Sequence, residues 1–110
     1  MEGSTKQKVI TLCGSTRFKE DFIKERERLI LEGNIVLTIE PVGTTTPELI
    51  PEIVKTMLVF IHKMRILVSD EIFVINPNNY IGESTTEEIR YAKEKGVVVK
   101  YLVSDKMVEK

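Results

Sequence analysis

Hydrophobic and polar residues follow two periods along the chain. Four short runs, 9–13 (VITLC), 35–39 (IVLTI), 71–76 (EIFVIN) and 97–103 (VVVKYLV), are β-branched and apolar on both faces. That is the pattern of strands covered by helices on two sides. Between them lie longer segments with apolar positions three to four residues apart, the helical period. The first, 17–32, sets Phe18, Phe22 or Ile23, Leu29 and Ile30 in one stripe and stops at Gly33. The second, 47–68, opens with Thr46, Pro47 and Glu48 as cap, first-turn proline and early carboxylate, with Pro51 able to shift the start. The third spans 85–95 and stops at Gly96.

Strands alternating with helices predict βαβ units and a parallel sheet. Right-handed crossovers and four strands give the order 2-1-3-4, a short doubly wound sheet in a Rossmann-like three-layer α/β sandwich. The expected organisation is a leader at 1–8, one domain at 9–103 and a polar tail at 104–110. The second helix is unusually apolar. Ile50, Ile53, Val54, Met57, Leu58, Ile61 and Met64 form its stripe, widened by Leu49, Val59 and Phe60. It is either a core helix tilted over the sheet or, through residues 48–68, the contact of a homodimer or higher homo-oligomer.

Composition narrows the chemistry. The 110 residues carry 16 Lys plus Arg and 17 Asp plus Glu, for a formal charge of -1. No overall field attracts a nucleic acid polymer or an anionic membrane, so an anion site must be local. The longest uninterrupted apolar run, Met57 to Ile61, is far shorter than the roughly 20 residues of a membrane span. One cysteine, Cys13, makes an internal disulfide impossible and suits a buried residue in the reducing cytoplasm. With a single His as well, the expectation is no metal centre of the His/Cys cage type and no cofactor, though carboxylate-bound magnesium stays open.

The order 2-1-3-4 makes strands one and three neighbours, and their C-terminal loops diverge into a crevice. One loop is Gly14, Ser15, Thr16 and Arg17; the other runs from Pro77 through Tyr80 and Gly82 to Thr85. Each feeds a helix N-terminus, where free N–H groups and the dipole suit a phosphate or other anion. Gly14 permits close approach, Ser15 and Thr16 offer hydroxyls, and Arg17 offers a fork of donors. Plain helix capping accounts for the Ser and Thr equally well. Residues 82–89 (GESTTEEI) hold two overlapping capping boxes, Ser84 with Glu87 and Thr85 with Glu88. If Ser84 caps, Glu88 leans into the crevice as an ionised nucleophile or base; if Thr85 caps, Glu88 is structural.

Three segments in series, VITLCGSTR (9–17), DEIFVIN (70–76) and the GESTxxEIxYAxxxG pattern of 82–96, resemble the nucleoside 2-deoxyribosyltransferase superfamily, including its 2'-deoxynucleoside 5'-phosphate N-hydrolase branch. The resemblance covers roughly residues 8–103 and implies a flavodoxin-like fold. It implies N-glycosidic cleavage or deoxyribosyl transfer on a small nucleoside or nucleotide, through a covalent intermediate on Glu88, and so favours the first capping arrangement. Gly14, Ser15, Arg17, Gly82 and Ser84 match positions that surround sugar or phosphate. Tyr80 is a candidate for stacking on the base.

The chain departs from the pattern in three places. Hydrolases of the superfamily carry an aspartate eight residues before the position of Asp70, where this chain has His62, a candidate replacement acid. Thr11 replaces an aromatic in strand one, and the segment 40–47 is short. Two alternatives to an enzyme follow: a nucleotide-binding or sequestering protein that keeps the phosphate cradle, and an interaction module built on the apolar second helix.

Overall fold

The computed structural model describes residues 7–38 and 51–103. Its four strands are β1 (Val9–Gly14), β2 (Ile35–Leu37), β3 (Glu71–Ile75) and β4 (Val98–Tyr101), and its helices are α1 (Lys19–Leu31), α2 (Glu52–Leu67) and α3 (Glu83–Glu94). All strand pairs are parallel and the order is β2-β1-β3-β4. The fold is therefore the expected three-layer α/β sandwich.

Side-chain alternation along the two central strands divides the core. Ile10 and Leu12 of β1 and Phe73 and Ile75 of β3 meet Leu29 of α1 on one face, with Phe18 and Phe22 packed beside them. Cys13, Ile72 and Val74 meet Ile66 of α2 and Ile89 and Ala92 of α3 on the other. Every residue of β3 is buried, as a central parallel strand requires. Burying each large aliphatic side chain contributes roughly 1.5–3 kcal/mol, so these two clusters supply most of the stabilisation. Helices α1 and α3 both end in a Schellman arrangement with Gly33 and Gly96 at positive φ, their amides and the next ones bonding back into the last turn.

Several boundaries differ from expectation for local reasons. The Ser15 hydroxyl accepts the Arg17 amide and caps a 3-10 turn at Thr16–Phe18, so α1 starts two residues later than predicted. Ile23 and Ile30 of the predicted stripe are exposed; Leu29 and Glu25 are the buried residues, Glu25 paired to Arg28 at 2.7 Å. Pro51 has extended backbone and precedes α2, while the predicted start at 47–50 and the end of strand two at Ile39 lie outside the described residues.

Helix α2 is also rotated from the predicted phase. Its inward row is Val54, Leu58, His62 and Ile66, at i, i+4 spacing, whereas Ile53, Met57, Phe60, Ile61 and Met64 face outward. Buried hydroxyls fasten its end to the sheet: Thr11 Oγ1 lies 2.6 Å from Ser69 Oγ, which donates to the Arg65 carbonyl at 2.8 Å. Thr11 thus does structural work where the resemblance leads one to look for an aromatic. Asp70 accepts the Val9 amide at 2.8 Å and secures the start of β1.

Candidate functional site

Gly14 ends β1 directly opposite Ile75, which ends β3. The contact is close enough that a Cβ on Gly14 would lie 2.8 Å from the Ile75 carbonyl oxygen. Two loops leave this point and meet again above it. The Arg17 guanidinium lies 4.4 Å over the Tyr80 ring, and Phe18 meets the same ring edge-on at 5.8 Å between centroids. The second loop turns through Asn78 and Asn79, both left-handed, a conformation asparagine accepts more readily than most residues. Asn76 anchors it: its side-chain oxygen accepts the Val103 amide at 2.8 Å and its nitrogen donates to the Val103 carbonyl at 3.1 Å.

Neither predicted capping box forms. Gly82 occupies the N-cap of α3, and its carbonyl accepts both the Thr86 amide and the Thr86 hydroxyl. Tyr80 packs against this position, where a Cβ on Gly82 would lie 3.3 Å from the tyrosine hydroxyl. Ser84 and Thr85 therefore lie in the first turn, Ser84 exposed and Thr85 buried, and no side chain caps the helix. The predicted structural use of Glu88 as a box partner is excluded by this geometry. Glu87 pairs outward with Arg90.

Glu88 points inward instead. Its Oε1 lies 3.5 Å from His62 Nε2, and that same nitrogen lies 3.6 Å from Cys13 Sγ. His62 is 5% exposed and Cys13 fully buried, while Glu88 retains partial exposure, so the cluster opens on the glutamate's side. Two buried side-chain polar atoms find no hydrogen-bond partner among the described residues: His62 Nδ1 and Glu88 Oε1. The geometry differs from a cysteine-nucleophile triad. There the acid orients the far ring nitrogen, whereas here thiol and carboxylate both face Nε2. Burial first, and then the charge and hydrogen-bonding pull of Glu88, push the Cys13 thiol well up, the reverse of an activated thiolate.

The predicted residues thus divide into two groups. Glu88 and His62 come together with Cys13; Arg17, Tyr80 and Gly82 form a separate group, with Ser15 capping the turn and Thr16 exposed. Cys13 is the member the sequence reading missed as a site residue. A cavity of about 270 Å3 lies elsewhere, at the N-terminal ends of the strands, lined by Lys8, Arg28, Glu71 and Lys100 among others. Glu71 already pairs with both lysines, and Arg28 with Glu25 and Glu32, so that cavity is a structural charge cluster. Among the described residues no helix is long and apolar enough to cross a membrane.

No protein-family model, curated protein or solved structure matches this chain.

Proposed function

We propose that the chain acts on the N-glycosidic bond of a 2'-deoxynucleoside or its 5'-monophosphate, with Glu88 as the nucleophile. The observation that carries this reading is the Glu88 carboxylate: it is spent on no cap, finds no hydrogen-bond partner for Oε1 among the described residues, and turns inward to His62 and to Cys13 near the end of β1. In the reaction a Glu88 oxygen attacks C1' of the sugar as the bond from C1' to the base nitrogen breaks. The electron pair leaves with the base, which gains a proton. Water then hydrolyses the glycosyl ester, or a second base accepts the sugar, and the carboxylate is regenerated.

His62, buried and 3.5 Å from the nucleophile, serves in this reading to position Glu88. The uncapped first turn of α3 offers its amides to the phosphate, joined by Ser84, Ser15 and Arg17, and Tyr80 offers a stacking face. The outward apolar row of α2 is the proposed contact with a second copy, and the free, buried Cys13 suits a reducing cytoplasm.

The test is release of free base from a panel of deoxynucleosides and their monophosphates. The reading expects release by the wild-type chain and none by Glu88→Ala; release unchanged in that variant refutes it. His62, at the position where the resemblance has an aspartate, favours a second reading, a nucleotide-binding protein without turnover. A nucleotide at 100 times its dissociation constant then stabilises the fold by roughly 2.7 kcal/mol with no base released.

A further inference from the structure

We infer that Cys13, His62 and Glu88 form a binding site for a single transition-metal dication of the zinc class. A tetrahedral ion with sulfur at about 2.3 Å and nitrogen or oxygen at about 2.0–2.1 Å separates neighbouring donors by about 3.4–3.6 Å. His62 Nε2 stands 3.6 Å from Cys13 Sγ and 3.5 Å from Glu88 Oε1, and all three donor atoms lie within 4.8 Å of one another. Two of the three donor separations thus match such an ion, and the third, between Cys13 and Glu88, is within 4.8 Å; the donors come from three elements, β1, α2 and α3.

The convergence is otherwise costly. A buried carboxylate oxygen with no hydrogen-bond partner among the described residues beyond the imidazole nitrogen 3.5 Å away carries a desolvation penalty that an ion would offset. With the ring proton on Nδ1, the Nε2 lone pair is directed at the other two donors. A dication between a thiolate, a carboxylate and a neutral imidazole makes the buried cluster electrically neutral. Binding releases the Cys13 proton to solvent and breaks no other bond. The donor set selects a borderline-soft ion over magnesium or calcium, which take oxygen ligands. Three protein ligands leave a fourth position toward the partly exposed side of Glu88, where water completes the coordination. A bound ion also engages the carboxylate proposed to attack the sugar, so the zinc-loaded chain is inactive toward nucleosides; this consequence alone rests on the proposed function.

The test is titration of the chelator-stripped, full-length chain with Zn2+ against a chromophoric chelator, and with Co2+ followed by absorbance. The expected result is one equivalent bound, a thiolate-to-cobalt charge-transfer band, one proton released, and no competition from Mg2+. Glu88→Gln and Cys13→Ser, each checked for native circular dichroism, weaken binding more than about 100-fold, beyond the 10–100-fold cost typical of outer-shell partners. Should Cys13→Ser fail to fold, Glu88→Gln decides. No binding by the folded wild type, or affinity unchanged in Glu88→Gln, overturns the site. Neither readout depends on base release, so failure of the site and failure of the enzymatic reading are separable.

Discussion

Replacing Gly14 by alanine tests the close approach of β1 and β3 from which the two loops diverge. Gly14 has φ of +152°, and its added Cβ would lie 2.8 Å from the Ile75 carbonyl oxygen and 3.1 Å from the Ile75 Cβ. Both neighbours belong to the backbone or stem of a buried central strand, so neither can swing aside. Backbone strain at positive φ costs about 1–2 kcal/mol and forced overpacking about 1–3 kcal/mol, so Gly14→Ala loses about 2–5 kcal/mol. Gly33→Ala is the matched control: φ is +95° but nothing lies within 4 Å of the added Cβ, so only the strain remains, about 1–2 kcal/mol. Urea denaturation of the wild type and both variants, analysed at a common slope, separates the two contributions. Equal losses in the two variants would refute the close approach of β1 and β3 at the site.

Three further outcomes follow from particular contacts. Because the folded-state value of the Cys13 thiol lies above its ordinary 9.0, its stabilising contribution is complete below about pH 9 and is lost as pH rises beyond it, at no more than about 1.4 kcal/mol per pH unit. Denaturation of the metal-free chain between about pH 8 and 11 shows this slope, and Cys13→Ala removes it; the same slope in both contradicts the account. If the proposed function holds, Arg17→Ala removes a charge-assisted hydrogen bond to phosphate worth about 1.5–3 kcal/mol, so calorimetry shows monophosphate binding weakened roughly 10- to 100-fold and nucleoside binding little changed. Phe60, 62% exposed on the outer row of α2, is the contact that a lysine disrupts: sedimentation of Phe60→Lys gives a smaller species than the wild type if that row joins two copies, and an unchanged one if it does not.

Strand order was legible because a buried parallel strand has few alternatives. β3 reads as apolar on both faces and is buried throughout, and right-handed crossovers then leave little freedom. The phase of α2 was not legible. With apolar residues nearly all round, the pattern does not single out the row Val54, Leu58, His62, Ile66, and that row runs through a histidine. The convergence of Cys13 with His62 depends on that phase across 49 residues of sequence, which is why their contact could not be read from the chain. The start of α3 was hidden by chemistry of a different kind. Ser84 and Thr85 are both good caps, but the helix starts earlier, with Gly82 at its N-cap against Tyr80, and leaves both uncommitted. The use of Glu88 was open in the pattern, which allowed a box partner or an inward-facing acid equally; only the resemblance favoured the second, and the Ser84 cap on which that arrangement rested does not form.

The most direct measurement is mass spectrometry of the metal-free chain, acid-quenched during incubation with a deoxynucleoside monophosphate. The account predicts a 5-phospho-2-deoxyribosyl adduct on the peptide that contains Glu88, absent from Glu88→Gln. Base release without such an adduct, or an adduct on another residue, would contradict it.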